Sequence, residues 1–213
     1  MITKGMPLDC YRELVQKYGE PVKYWPQWCA RQKSIAEREK IIIGMILVQR
    51  TTWHNADLAL KNLKQAGLLA LGEIAKLKNL DYLTELIRPA GFYQVKPRRL
   101  ADLSQLVAVE GGVKKLMQLE TENVRQKLLR LKGIGQETAD TILLYALDKP
   151  VFVVDEYTKR WVASNKITQK KDYAKLQDFF EKKLPRDLAI YQNFHALIIV
   201  DQKGPERSAM EIL

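Results

Sequence analysis

Between Thr121 and Asn165 an amphipathic run, a break and a second amphipathic run follow one another, and no other stretch restricts the fold as much. Val124, Leu128, Leu129 and Leu131 recur at helical spacing, and the run breaks at Leu131-Lys132-Gly133-Ile134-Gly135. From Gln136 to Leu147, Ala139, Ile142, Leu143 and Ala146 share one face, so two helices joined by a hairpin of about five residues are expected. Glycine at 133 and 135 lets the chain turn tightly and lets another molecule approach the backbone, while Ile134 pins the turn to the core. The amides that open the second helix have no partner inside it and point outward from its positive end, a geometry suited to a phosphate oxygen.

The rest of the chain reads as helices. Leu8 to Tyr18 is a short amphipathic helix after a loose lead, Met1 to Pro7. Tyr24, Trp25, Pro26 and Trp28 form an aromatic knot whose proline argues for a loop; rings packing one domain on the other are one reading of it. Ser34-Ile35-Ala36-Glu37 has the capping-box pattern, so a densely apolar helix should run from Ile35 or Ala36 to Gln49. A second, Thr52-capped helix follows from Trp53. Short helices are expected at 71–76, 81–88 and 113–119, and a longer one, started by Pro97, over 98–109. Lys96, Arg98 and Arg99 are read either as phosphate contacts or as a solvated basic helix start. Helices over 155–164, 172–184 and 186–201 and an aperiodic tail from Gly204 complete the chain, about eleven helices in all and no sheet. Val151-Phe152-Val153-Val154 is too short for a sheet strand and reads as a buried extended link.

A chain of 213 residues can bury one large or two small cores. The formal charge of +10 suits a polyanionic partner. Cys10 and Cys29 are too few for a disulfide framework and lack metal-ligand spacing, so both are expected as buried thiols in a reducing compartment. Without a signal peptide or a membrane-length apolar run, a soluble, cytoplasmic and nucleoid-associated protein of bacterial type is expected, with no membrane partner.

The hairpin motif L-x-G-I-G-x-x-T-A, from Leu131 through Thr138 to Ala139, followed by Pro150 and a helix opening at Asp155, resembles the helix-hairpin-helix DNA glycosylase superfamily of endonuclease III. The resemblance implies an all-α, two-domain architecture. Residues 34–147 would form a barrel-like domain ending in the hairpin, and residues 1–33 with 148–213 a second helical domain, with a DNA-facing cleft between them. Leu131, Lys132, Gly133, Ile134, Gly135 and Thr138 would make up the DNA-binding hairpin, Gln49 the wedge that fills the gap left by an extruded nucleotide, and Asp155 the catalytic carboxylate. On the residues alone, Gln49 is equally a loop glutamine facing water and Asp155 a plain helix cap. With no cysteine after Cys29, the iron-sulfur cluster of several relatives cannot be built; no cofactor is expected, with a monovalent cation at the hairpin left open.

Two absences bear on the reaction. Glu137 occupies the place of the nucleophilic lysine of bifunctional relatives, and a carboxylate forms no Schiff base. Gly44 stands where mismatch-type adenine glycosylases have an acid that protonates the leaving base. The closest pattern is the 3-methyladenine DNA glycosylase III type, in which a Trp-Pro pair and an aromatic four residues after the wedge line the base pocket; these fall on Trp25, Pro26 and Trp53. The run from Pro26 to Gln49 is longer here, which leaves open whether the Trp-Pro turn reaches the pocket. The expectation is a monomeric, monofunctional glycosylase that removes an alkylated purine from double-stranded DNA. A glycosylase for another damaged base, such as an oxidised pyrimidine, and a non-catalytic DNA-binding protein are the alternatives.

Overall fold

The computed structural model describes residues 6–205, and these are helical with no strand. In chain order the helices are α1 (Pro7–Tyr18), α2 (Pro26–Cys29), α3 (Ile35–Leu47), α4 (Trp53–Gln65), α5 (Leu71–Ala75), α6 (Asp81–Leu86), α7 (Lys96–Val109), α8 (Val113–Gln118), α9 (Thr121–Leu129), α10 (Gln136–Thr141), α11 (Glu156–Ser164), α12 (Tyr173–Lys183) and α13 (Leu188–Lys203). Single 3-10 turns occur at Pro21–Lys23 and Arg88–Ala90, and a π turn, Ile142–Ala146, prolongs α10. Apart from Met6, Pro7 and the two residues after α13, the expected lead and tail lie outside the described residues.

Helix α3 starts where its capping box places it. Ser34 Oγ accepts from the Glu37 N–H at 3.3 Å, and Glu37 Oε2 accepts from the Ser34 N–H at 2.7 Å, so two otherwise orphaned donors are satisfied. Its residues Ile41 to Leu47 are all buried, which explains an apolar run with no polar face. They pack against α4, α7, α8 and the π turn. Arg38 is also buried here, and it donates to the carbonyls of Ala146 and Lys33 and pairs with Asp148, tying the start of α3 to the end of the hairpin helix.

The hairpin itself is clamped by a buried carboxylate. Asp140 accepts a bidentate pair from Arg125 of α9 at 2.6 and 3.0 Å, and Tyr173 Oη and Gln177 Nε2 of α12 each donate to it at 2.8 Å. A buried charge paired this fully fixes geometry, because both of its oxygens are held by donors, Oδ1 by one and Oδ2 by three. The link 151–154 is buried, as its composition suggests, and belongs to neither helix nor strand. At Phe152 the backbone is satisfied by side chains: Glu181 accepts from its N–H and Gln177 donates to its carbonyl. Helix α13, buried from Tyr191 to Val200, packs against α1, α11 and the π turn.

Two expectations are corrected. The aromatic knot is not simply a loop: Pro26 occupies the first position of α2, where its fixed φ and missing N–H suit a helix start. Lys96 is neither a phosphate contact nor a solvated residue. It is 1% exposed and donates to the carbonyls of Leu47 and Ala90, both at 2.7 Å, and burial with Arg99 nearby lowers its pKa to about 8.

Candidate functional site

A cavity of about 350 Å³, within the ~300–1,000 Å³ usual for small-ligand sites, lies where α2, α3, α4, α10, the start of α11 and α13 meet. Trp25, Trp28, Trp53 and Tyr145 wall one part of it. Trp28 is the hub, meeting Trp53 at 4.9 Å, Tyr145 at 5.4 Å and Trp25 at 6.4 Å between ring centroids, each edge to face. Trp53 stays half-buried at the N-terminus of α4, capped by Thr52, whose Oγ1 accepts from the Asn55 N–H. Gly44 packs beneath it: a Cβ there would make ordinary contact, 3.5 Å from the Trp53 ring, and only a longer side chain would press on the indole. Trp25 reaches the wall despite the longer segment that follows it, but Pro26 does not, being exposed at the start of α2 and absent from the cavity lining.

Asp155 faces the same cavity with 9% exposure. It caps α11, its Oδ1 accepting the Thr158 N–H at 2.7 Å, and its Oδ2 lies 3.4 Å from His195 Nε2. Burial pushes the carboxyl pKa up, but His195 and the Thr158 N–H outweigh it and the net shift is downward. The group is therefore an ionised, fixed carboxylate in a water-poor wall. Glu137, at the opening of α10, lines the cavity too, and its pKa is raised, first by desolvation and then by the charge of Asp155. Two carboxyls of one cavity are thus pushed in opposite directions.

The hairpin and the Gln49 loop lie side by side. Gly133 has φ +89°, and a Cβ on it would fall 2.2 Å from Arg99 Nε, so this position requires glycine twice over. Gly135 differs: its φ is −92°, an ordinary conformation, and a Cβ on it would meet nothing within 4 Å. The turn itself needs only the first glycine; the second leaves an open backbone. Ile134 is buried, Leu131 packs partly against the core, and Lys132 is exposed. Gln49 is half-buried and hydrogen-bonded rather than a plain loop glutamine in water. Its Nε2 donates to the Gly133 carbonyl at 3.0 Å and to Thr138 Oγ1 at 3.4 Å, and its Oε1 accepts from Arg99 at 2.8 Å. The next residue, Arg50, holds a left-handed φ of 56° and is exposed beside both the cavity and an outer groove. That groove is bordered by the hairpin, Phe92 and Val95; Phe92, Tyr93 and Val95 are 40% or more exposed.

Tyr145 and His195 join the site without having been singled out from the sequence, and Trp28, read there only as part of the aromatic knot, joins it too. For His195 a signal existed: with Gln192 and Asn193 it is one of three polar residues in the otherwise apolar buried run of α13, and a buried imidazole needs partners. Among the described residues, no group of three His, Cys, Asp or Glu side chains is placed to hold a metal ion, and no helix is long and apolar enough to cross a membrane. Cys10 and Cys29 are both buried, the thiol of Cys29 being pushed up to about 12 by burial.

With this geometry in place, the comparisons with known proteins are specific. The family described as HhH-GPD superfamily base excision DNA repair protein matches residues 43–186. A protein of Methanocaldococcus jannaschii, described as a candidate DNA repair glycosylase, is 40% identical over 195 residues, covering 89% of this chain and 83% of its own. Endonuclease III of Thermotoga maritima is 30% identical over 151 residues, covering 70% and 66%. The crystal structure of the H. pylori 3-methyladenine DNA glycosylase bound to 1,N6-ethenoadenine superposes with a TM-score of 0.75 at 28% identity, covering 92% of this chain and 96% of that one.

Proposed function

The chain belongs to the HhH-GPD superfamily of base excision DNA repair proteins, and from that premise we propose that it hydrolyses the N-glycosidic bond of an alkylated purine, turned out of double-stranded DNA into the Trp-walled cavity, without cutting the strand. The observation that carries the reading is Asp155: a buried carboxylate of lowered pKa facing a cavity lined by three indoles. Breaking the bond leaves positive charge on the sugar, and a preorganised carboxylate stabilises that charge or orients the attacking water.

The choice of base follows from what the cavity offers and lacks. Alkylation at N3 or N7 makes the purine a cation that departs without being protonated, so the lack of an acid at Gly44 is no handicap. Aromatic faces attract such a ring by ~0.5–2 kcal/mol each, which favours Trp53, Trp28 and Trp25 as its cradle. The absence of strand cleavage rests on Glu137, which has no amine to attack the sugar. In this reading the hairpin Leu131 to Gly135 with Thr138 takes the DNA backbone, the open face of Gly135 letting a phosphate come close. Gln49 must release Gly133, Thr138 and Arg99 before it can enter the base stack. The cavity would lie between a unit of residues 34–147, supplying Trp53 and Glu137, and one of 1–33 plus 148–213, supplying Trp25, Asp155 and His195.

The test is base release from a panel of duplexes, each holding one lesion, run with the wild type and with Trp53→Ala. Release of 3-methyladenine or 7-methylguanine, reduced in Trp53→Ala while undamaged duplex is still bound at wild-type affinity, is expected. Release of an oxidised pyrimidine alone would replace the alkylpurine reading. Release of nothing, with DNA still bound, would make the protein a non-catalytic DNA-binding module.

A further inference from the structure

His195 is buried on α13, with 4% exposure, and the chemistry above assigns it no task. Its Nδ1 lies 2.8 Å from Tyr145 Oη; its Nε2 lies 3.4 Å from Asp155 Oδ2, an ion-pair distance, and makes no hydrogen bond among the described residues. Tyr145 sits on the π turn, where the Leu147 N–H bonds back to Ile142 and shifts the helical register. Its hydroxyl, kept protonated by burial, has one proton and two acceptors in reach: His195 Nδ1, and the Gln192 carbonyl at 3.1 Å.

Placing the protons leaves two states. If Tyr145 donates to Nδ1, the imidazole is neutral and carries its proton on Nε2, toward Asp155. If Tyr145 donates to the Gln192 carbonyl, Nδ1 must hold a proton, or two lone pairs would face each other. A bare Nε2 would then face a carboxylate, so Nε2 is protonated as well and the ring is an imidazolium. Both states aim an N–H at Asp155, and they differ by one charge.

We propose that His195 is a positioning residue for Asp155 and a proton-dependent brake on base release. In its neutral form the Nε2–H steadies Oδ2 while the Thr158 N–H holds Oδ1, and the carboxylate keeps its full charge for the sugar. The imidazolium neutralises that charge, so base release slows once the ring carries a second proton. The inference rests on the glycosylase reading only for its effect on rate; the tautomer does not depend on it.

Other titratable groups surround the pair. Glu137, Tyr157 and Lys203 share the cavity. From the elements packed on α13 come Cys29 of α2, near Tyr145, and Tyr11 of α1, against Phe194; Glu20 and Arg31 hydrogen-bond to Asn193. Glu137 is the one whose titration could imitate that of His195, because its own pKa is raised and it senses both Asp155 and His195.

The experiment is the pH profile of single-turnover base release, on whichever duplex of the panel the wild type excises, for wild type, His195→Gln, His195→Leu and Glu137→Gln. Histidine ring 15N spectra of the wild type and of Tyr145→Phe accompany it. His195→Gln keeps a donor toward Asp155 that does not titrate, so the acid limb should vanish from it and persist in Glu137→Gln. His195→Leu should lose about 3- to 10-fold in rate, the worth of a hydrogen bond of ordinary strength, with glutamine restoring most of it. The spectra should show the Nε2–H form at neutral pH, and less of it in Tyr145→Phe. An acid limb unchanged in His195→Gln, or a ring protonated on Nδ1 alone, would overturn the proposal. If no duplex is excised, the glycosylase reading fails by itself, and the ring spectra still decide the tautomer.

Discussion

Gly133 and Gly135 are two residues apart in one turn, yet substituting alanine at each should have opposite consequences. Gly133→Ala must hold a side chain at φ +89°, which costs about 1–2 kcal/mol in a left-handed conformation. Its Cβ also falls 2.2 Å from Arg99 Nε, so the guanidinium must leave and its 2.8 Å bond to Gln49 is lost. Arg99 is partly exposed and water replaces some of that bond, so the loss adds about 1–2 kcal/mol rather than the full worth of a charged hydrogen bond. The total of about 2–4 kcal/mol corresponds to a melting temperature lowered by about 4–16 °C for a protein of this size. Gly135→Ala has an ordinary φ and open space, so it should melt with the wild type while duplex affinity falls, because the methyl stands where a phosphate would approach. Thermal melting and duplex affinity at two salt concentrations read both effects. A Gly133→Ala variant that melts within a degree of wild type would refute the steric account of the turn, and undiminished affinity in Gly135→Ala would remove the hairpin as the backbone contact.

Two further outcomes follow from side chains already placed. With Glu137 in the lysine position, borohydride should trap no covalent adduct on abasic DNA, and strands should break only after alkali; a strong adduct would mean that another amine acts, Lys203 in the cavity wall being the first to replace. Lys96 titrates near pH 8 folded against about 10.5 unfolded, so between these values the unfolded chain binds more protons and the contribution of Lys96 to stability rises with pH. Denaturant midpoints from pH 7.5 to 10.5 should therefore climb more steeply in wild type than in Lys96→Met, and parallel slopes would contradict the buried ammonium.

The parts of the fold that rest on local chemistry were legible in the sequence. The capping box at Ser34, the Thr52 and Asp155 caps, the hairpin break and the buried link 151–154 all use residues within a few positions of one another, and each lies where the pattern put it. What was not legible depends on partners far apart in sequence. The bonds of Tyr145 to α13 span about 50 positions and pass through a π turn, which leaves no periodic trace. Lys96 looked like a solvated cation because the carbonyls it caps belong to α3 and to the turn before α7. Pro26 was read as a breaker, whereas a proline can equally be the first residue of a helix, and that choice placed Trp28 in the cavity wall in its stead.

The central claim is that the ionised carboxylate of Asp155 drives bond cleavage, and single-turnover base release by Asp155→Asn tests it most directly. Asparagine retains an oxygen to accept the Thr158 N–H, so α11 stays capped; its NH2 then faces His195 Nε2, and the melting temperature should fall by only a few degrees. What disappears is the negative charge facing the sugar, worth about 3–4 kcal/mol or a hundred- to thousandfold in rate. Affinity for the same duplex should be equal or somewhat higher, because a buried anion no longer repels the phosphates. A stable Asp155→Asn protein that releases base at the wild-type rate would contradict the account; one that binds lesion DNA tightly and releases base hundreds of times more slowly is the result it predicts.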